Sequence, residues 1–248
     1  MPELPEIEAY IAALEPRVLN RPITGVRVAS FSLLKTYDPP VDAAVGRSVE
    51  SLSRIGKRIV FNLEADLHLV IHLMVAGRLH WHPPGKAIPK KYGLAAFDFT
   101  DGTLLLTEAG TKRRASLHIV TGDEALQALD PGGIEIAEAT EEQFATALLA
   151  ERHTLKRALS DARFISGIGG AFADEILHAA KLSPLQMNTN LSEADISQLF
   201  AAANEQMARW TEIRIAETGD GFPEKVTAFH PEMAVHGKFG EPCPVCDT

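Results

Sequence analysis

The feature that most constrains this chain is a change of hydrophobic period at Asp130-Pro-Gly-Gly. Upstream, short β-rich runs at 26–28, 49–52, 58–63, 68–73, 94–99 and 103–107 are separated by turn signals. These signals are Asp38-Pro-Pro, Gly46, Pro83-Pro-Gly and Asp101-Gly. Many short strands punctuated this way predict a β-sandwich or barrel. Downstream the period becomes helical. Thr140 and Gln143 have the spacing of a capping box ahead of Phe144, Ala147 and Leu148. Further helices are predicted over 155–160, 171–180 and 192–217. A first helix is predicted over 6–15, where Ile7, Tyr10, Ile11 and Leu14 share one face. Pro5 stands just ahead of it and Pro16 at its end. The expected fold is α+β: an N-terminal helix with a β-sandwich over 1–131, a helical domain over 132–220, and a Gly/Pro-rich aromatic segment over 221–248.

A chain of 248 residues, 46% hydrophobic, has room for one large or two smaller cores. No apolar run approaches the roughly 18 residues of a membrane span. The start has neither a basic nor an apolar leader region, so a cytoplasmic monomer is expected. Lys and Arg number 24 against 33 Asp and Glu, a net charge of −9. That sum argues against a nucleic-acid binder, because phosphate contacts need cations. A basic face can still sit on an acidic body, so local clusters decide.

Four stretches carry possible chemistry. The first is Met-Pro-Glu-Leu-Pro-Glu at residues 1–6. Methionine is usually removed before a small residue, which leaves Pro2 as a secondary amine. An α-amino group titrates near about 7.7–8.0, so a useful fraction is neutral and nucleophilic at neutral pH. Such an amine condenses with an aldehyde-like carbon to an iminium. Glu3 beside it can move protons, and Glu6 one turn later can orient it. The same residues also read as a proline-initiated helix with acidic first-turn side chains. The second stretch comprises two basic clusters, Ser53-Arg-Ile-Gly-Lys-Arg58 and Thr111-Lys-Arg-Arg114. Lys57 or Arg58 could meet a phosphate; a solvated hairpin turn is the other reading. Third, Gly167, Gly169 and Gly170 precede a helix, as an anion-binding turn or a tight connection between helices would require. Fourth, Cys243 and Cys246 form a C-x₂-C knuckle, half of a tetrahedral zinc site. His230 and His236 are near in sequence, and the expected remaining ligands lie beyond Thr248.

Taken together, these stretches resemble the formamidopyrimidine-DNA glycosylase / endonuclease VIII family of base-excision enzymes. PELPEIE at 2–8, GKRIVF at 56–61, HLMVAGRL at 72–79, SGIGGAFADEILHAAKLSP at 166–184 and HGKFGEPCPVC at 236–246 fall in the family order along the whole chain. The resemblance implies a β-sandwich catalytic domain, a helix–two-turn–helix domain and the first half of a structural zinc finger on Cys243 and Cys246. It implies a glycosylase and abasic-site lyase acting on double-stranded DNA with oxidised bases or abasic sites. Pro2 would be the nucleophile, Glu3 the general acid and Glu6 the support of both, with Lys57 on a phosphate. His72, Met74 and Val75 would lie on a wedge-bearing strand, with Met74 or Val75 filling the gap left by the everted nucleotide. Gly169 and Gly170 would meet the backbone, Lys112, Arg113 or Arg114 the opposite strand, and residues 219–229 would cap the base. A catalytically inactive DNA-binding protein on the same scaffold is the alternative. Three departures stand out. Gly170 replaces the asparagine usual at that place, no Arg–Phe pair follows Thr107, and the second cysteine pair is missing.

Overall fold

A computed structural model describes residues 1–110, 112–224, 226–227 and 229–247. The chain divides into two compact units. One comprises Met1–Pro2, Glu6–Asp130 and Arg214–Val226; the other comprises Glu3–Pro5, Pro131–Ile213 and Thr227–Thr248.

The first unit holds most of helix α1 (Leu4–Val18) and eight strands. These are β1 (Gly25–Val28), β2 (Val49–Ile55), β3 (Arg58–Leu63), β4 (Leu67–His72), β5 (Gly77–His82), β6 (Gly93–Phe99), β7 (Gly102–Glu108) and β8 (Ser116–Thr121). They form two antiparallel four-stranded sheets, ordered β1-β6-β7-β5 and β2-β3-β4-β8, which is the sandwich the turn spacing predicts. A short helix α2 (Asp123–Gln127) follows β8. Alternation decides which side chains go inside. Ile59, Phe61 and Leu63 of β3, Leu69 and Ile71 of β4, and Leu117 and Ile119 of β8 join one core with Ile7, Tyr10, Leu14 and Val18 of α1. Burying each such side chain contributes about 1.5–3 kcal/mol before entropy is charged against it. The other face of β3-β4-β8 carries the rows Arg58–His72–Ser116, Val60–Val70–His118 and Asn62–His68–Val120.

The second unit contains α3 (Glu141–Leu149), α4 (Leu155–Ser160), α5 (Gly170–Ala179) and most of α6 (Glu193–Thr218). The Thr140/Gln143 capping box forms with both of its hydrogen bonds. Leu199, Ala203, Met207 and Trp210 recur on one face of α6 and close over Phe144, Phe172 and Ile176. Phe172 meets Trp210 edge-on, with ring centroids 5.9 Å apart.

Three sequence expectations need correction. Helix α1 starts two residues before and ends three residues after the predicted 6–15, because the first turn tolerates Pro5 and Pro16 sits in the last turns. Strand β5 was not anticipated. The run 72–79 is no single strand: it breaks after His72 into a turn that carries the chain from one sheet to the other. Strand β8 was also missed, since its apolar alternation is interrupted by His118 and follows the basic cluster directly.

Candidate active site

Within the first unit, Pro2 is buried and still follows Met1. Glu6 is 1% exposed and pairs with Arg214, whose Nε donates to its Oε1 at 3.2 Å. Arg214, itself 9% exposed, also reaches Glu217 at 3.3 Å. A buried ion pair of this kind is costly to break, about 3–5 kcal/mol when one partner is removed. The pair borders a cavity of about 440 Å³ whose far wall is the segment after α6, including Phe222, Pro223, Glu224 and Val226. The volume falls within the range of small-ligand sites. Phe222 also packs on Tyr10, at 5.8 Å. Thus residues 221–224 and 226 line this cavity together with Glu6 and Ala9 of α1; Lys225 and Ala228, in the same expected capping segment, lie outside the described residues.

Lys57 occupies the two-residue β2–β3 hairpin with Gly56, whose φ is +57°. It is 8% exposed, so the solvated-turn reading is wrong for its side chain. Arg58 pairs across to His72, and Arg58 Nε is buried with no hydrogen-bond partner. Burial above all, then the charges of Arg58, Lys57 and His118, push the His72 imidazole down to about 4. His72 is therefore neutral at physiological pH. Burial likewise lowers His118, with help from Arg58 and Lys35.

Met74 and Val75 sit at the tip of the β4–β5 turn. Met74 has φ +52°, and Val75 is 58% exposed. The Gly77 N–H closes the turn on Leu73 O at 2.9 Å. A Cβ on Gly77 would stand 2.2 Å from that oxygen, so only glycine fits. Lys112, Arg113 and Arg114 are exposed on the β7–β8 loop; Thr111 lies outside the described residues. Arg113 Nη2 donates to Lys91 O at 2.6 Å. Glu108, 2% exposed, accepts the N–H groups of Arg114 and Ala115 at 2.9–3.1 Å and so shapes the loop. Sequence reasoning passed over both Glu108 and Arg214. Their partners cannot be read from spacing: Glu6 is 208 positions from Arg214.

In the second unit, Glu3 is 3% exposed and its carboxylate caps α5. Its oxygens accept from Gly169 N at 2.6 Å, Ala171 N at 3.0 Å and Phe172 N at 3.3 Å. These are N–H groups that a helix start leaves unpaired. A Cβ on Gly169 would come 2.5 Å from Glu3 Cδ, which explains the glycine. The anion expected at the glycine-rich turn is therefore the chain's own carboxylate, and the Gly169 N–H is turned to it rather than outward. Gly170 starts α5, and a Cβ there would meet only the tip of Lys156, at 4.0 Å. Lys156 is itself tied to Asp174 at 2.8 Å.

The C-terminal segment is held by Glu175, 4% exposed, which accepts from the N–H groups of Ala234, Val235 and His236 at 2.7–2.9 Å. The two histidines considered for zinc make other contacts. His236 Nδ1 contacts Asp174 at 2.9 Å, and His230 stands edge-on to Trp210. His178 Nε2 instead lies 3.4 Å from Cys243 Sγ. Among the described residues, no group of three ligand atoms gathers around Cys243 and Cys246. The donor set does not complete the four-coordinate site of a structural zinc.

These features define an α+β protein with a helix-led β-sandwich and a helical unit whose glycine turn is capped by a carboxylate from the N-terminus. Residues 1–115 match the formamidopyrimidine-DNA glycosylase N-terminal domain, and residues 129–218 match the formamidopyrimidine-DNA glycosylase H2TH domain. The chain belongs to the formamidopyrimidine-DNA glycosylase family. It is 32% identical over 263 residues to the formamidopyrimidine-DNA glycosylase of Chloroflexus aggregans, covering 100% of this chain and 92% of that protein. It is 31% identical over 254 residues to that of Carboxydothermus hydrogenoformans, with the same coverage. Its fold is similar to that of the Lactococcus lactis Fpg in complex with DNA containing an abasic site. There the TM-score is 0.86 at 23% identity, covering 99% of this chain and 92% of that one.

Proposed function

We propose that this protein is a DNA repair glycosylase that removes oxidised bases and then cleaves the abasic site through Pro2. Family membership supports the class of reaction. The observation that carries the chemistry is the N-terminal segment itself. Pro2 is followed directly by Glu3, whose carboxylate is fixed on three backbone N–H groups. Glu6, in turn, is buried beside Arg214 at the edge of a cavity large enough for a base. With Met1 removed, the Pro2 nitrogen carries a lone pair. It bonds to the anomeric carbon as the bond to the base breaks, and the base leaves with that electron pair and a proton. Opening of the sugar puts a proton on the ring oxygen and leaves an iminium, which drains electrons from the neighbouring carbon. Loss of a proton there expels the phosphate on one side, and a second elimination expels the other. In this reading Glu3, released from α5, delivers the ring-opening proton, and Lys57 is the cation for a flanking phosphate. Val75, exposed on a turn of fixed shape, is the better wedge of the two candidates.

Borohydride reduction should trap one covalent protein–DNA adduct on an abasic or oxidised-base duplex. Pro2→Gly, which exchanges the secondary amine for a less constrained primary one, should reduce trapping, and a chain that keeps Met1 should form none. Absence of an adduct on every such duplex would sink the proposal. One observation favours a second reading, a DNA-binding protein without cleavage: both oxygens of Glu3 are already taken up by α5. That reading predicts salt-sensitive binding, no strand scission, and indifference to Pro2→Gly.

A further inference from the structure

On the face of the β2-β3-β4-β8 sheet that bears His68, three possible metal ligands converge. His68 Nε2 and carboxylate oxygens of Asp66 and Asp123 all lie within 4.8 Å of one another. Asp66 Oδ1 is 3.4 Å from His68 Nε2. The imidazole is only 6% exposed, yet its Nε2 has no hydrogen-bond partner. Its other nitrogen is engaged: Nδ1 lies 2.9 Å from Asn62 Oδ1. Asn62 is held in that orientation because its Nδ2 faces the hydroxyls of Ser51 and Ser53 at 2.9 and 3.1 Å. With Nδ1 turned to the Asn62 carbonyl oxygen, the buried Nε2 faces the two carboxylates. One ring nitrogen and two carboxylates facing one another leave a place for a positive species. An oxygen acceptor on the other ring nitrogen, here the Asn62 side-chain carbonyl, is the kind of outer-shell contact that orients a ligating histidine.

We infer that His68, Asp66 and Asp123 form a binding site for a divalent transition-metal ion of the zinc class, separate from the cysteine pair. The backbone pre-forms it. Ala65 and Asp66 both take positive φ, +59° and +57°, in the three-residue β3–β4 turn. The Asp66 carbonyl accepts the Gly122 N–H at 2.9 Å, which fixes the turn against the residue that leads into Asp123. Tetrahedral bonds of about 2.0–2.2 Å from zinc to nitrogen and oxygen bring ligand atoms to about 3.3–3.6 Å of one another, so atoms now up to 4.8 Å apart must close by about 1 Å or more. Both carboxylates are exposed and turn at little cost. One imidazole with two carboxylates suits zinc, cobalt or iron; magnesium and calcium, which take oxygen ligands, fit an imidazole poorly. The remaining positions face solvent and would hold water. A bound ion would tie the β3–β4 turn to the start of α2 and so stiffen the edge of the sandwich.

The test uses the full chain with Cys243→Ser and Cys246→Ser, so that thiols contribute nothing. Zinc, cobalt and magnesium ions are titrated one at a time. The expected result is one equivalent of zinc bound by calorimetry, a visible cobalt band, and a melting temperature raised by about 3 °C or more at saturating zinc, as ligand linkage requires. Magnesium should do none of this. Asp123→Asn, on an exposed side chain that does not endanger folding, should weaken zinc binding at least about tenfold, the scale of losing one ligand interaction. His68→Gln should abolish it. No saturable zinc binding in the cysteine-free chain overturns the inference. So does binding that survives Asp123→Asn and His68→Gln unchanged. A proton on Nε2 in place of a metal would give the first of these outcomes.

Discussion

Glu6 and Arg214 set the sharpest test at the level of single residues, because each is buried and each answers the other's charge. Arg214→Ala should lower stability by about 3–5 kcal/mol, measured by urea unfolding. Adding Glu6→Gln should recover part of that loss, since the stranded carboxylate is then gone. His72 gives a second test. Its imidazole is pushed down to about 4 by burial and by Arg58, Lys57 and His118, against about 6.5 in the unfolded chain. Between those values the unfolded state binds the proton and the folded state does not. Stability is therefore full above about pH 6.5 and falls as pH drops toward 4, by an amount of order 2–3 kcal/mol. His72→Gln should flatten that part of the urea midpoint against pH. The N-terminal carboxylates, Lys57 and the basic loop were legible as candidates from residue type and local spacing. Arg214, Glu108 and Glu175 were not, because their roles depend on partners that only the fold brings near.

Among the elements, the helices were the most legible: Thr140 and Gln143 announced α3, and the apolar stripe of α6 was continuous. Strand β5 was hidden because its neighbour β4 runs into it through apolar residues, with no Asn-Gly or Pro-Gly to mark the break. What ends β4 is a positive φ at Met74 and a backbone contact at Gly77, neither of which hydropathy registers. Gly77→Ala should therefore be severely destabilising, visible as a large drop in melting temperature, although the new side chain is small and apolar. Glu175 offers a milder test in the helical unit. Glu175→Ala strands the N–H groups of Ala234, Val235 and His236. Hydrogen exchange at these three amides should speed up while the α5 and α6 amides stay protected.

For the molecule as a whole, a charge of −9 is the fact least suited to its proposed partner. Duplex binding on such a body must come from a few local cations, so the salt dependence of affinity should be shallow. Lys57→Ala should reduce the slope of log affinity against log salt by about one unit, read by fluorescence anisotropy at several salt concentrations. A slope unchanged by that substitution would remove Lys57 from the phosphate contacts. The arch between His72 and Gly77 bears on how this family can diversify. Because it hands the chain from one layer to the other, an added or deleted residue would flip the alternation of everything downstream in β5. The tip at Met74 and Val75 is then more open to a change of side chain, within the limit set by the positive φ at Met74, than to a change of length. Variation at this tip is therefore expected as exchange of side chains, with insertions and deletions confined to other loops.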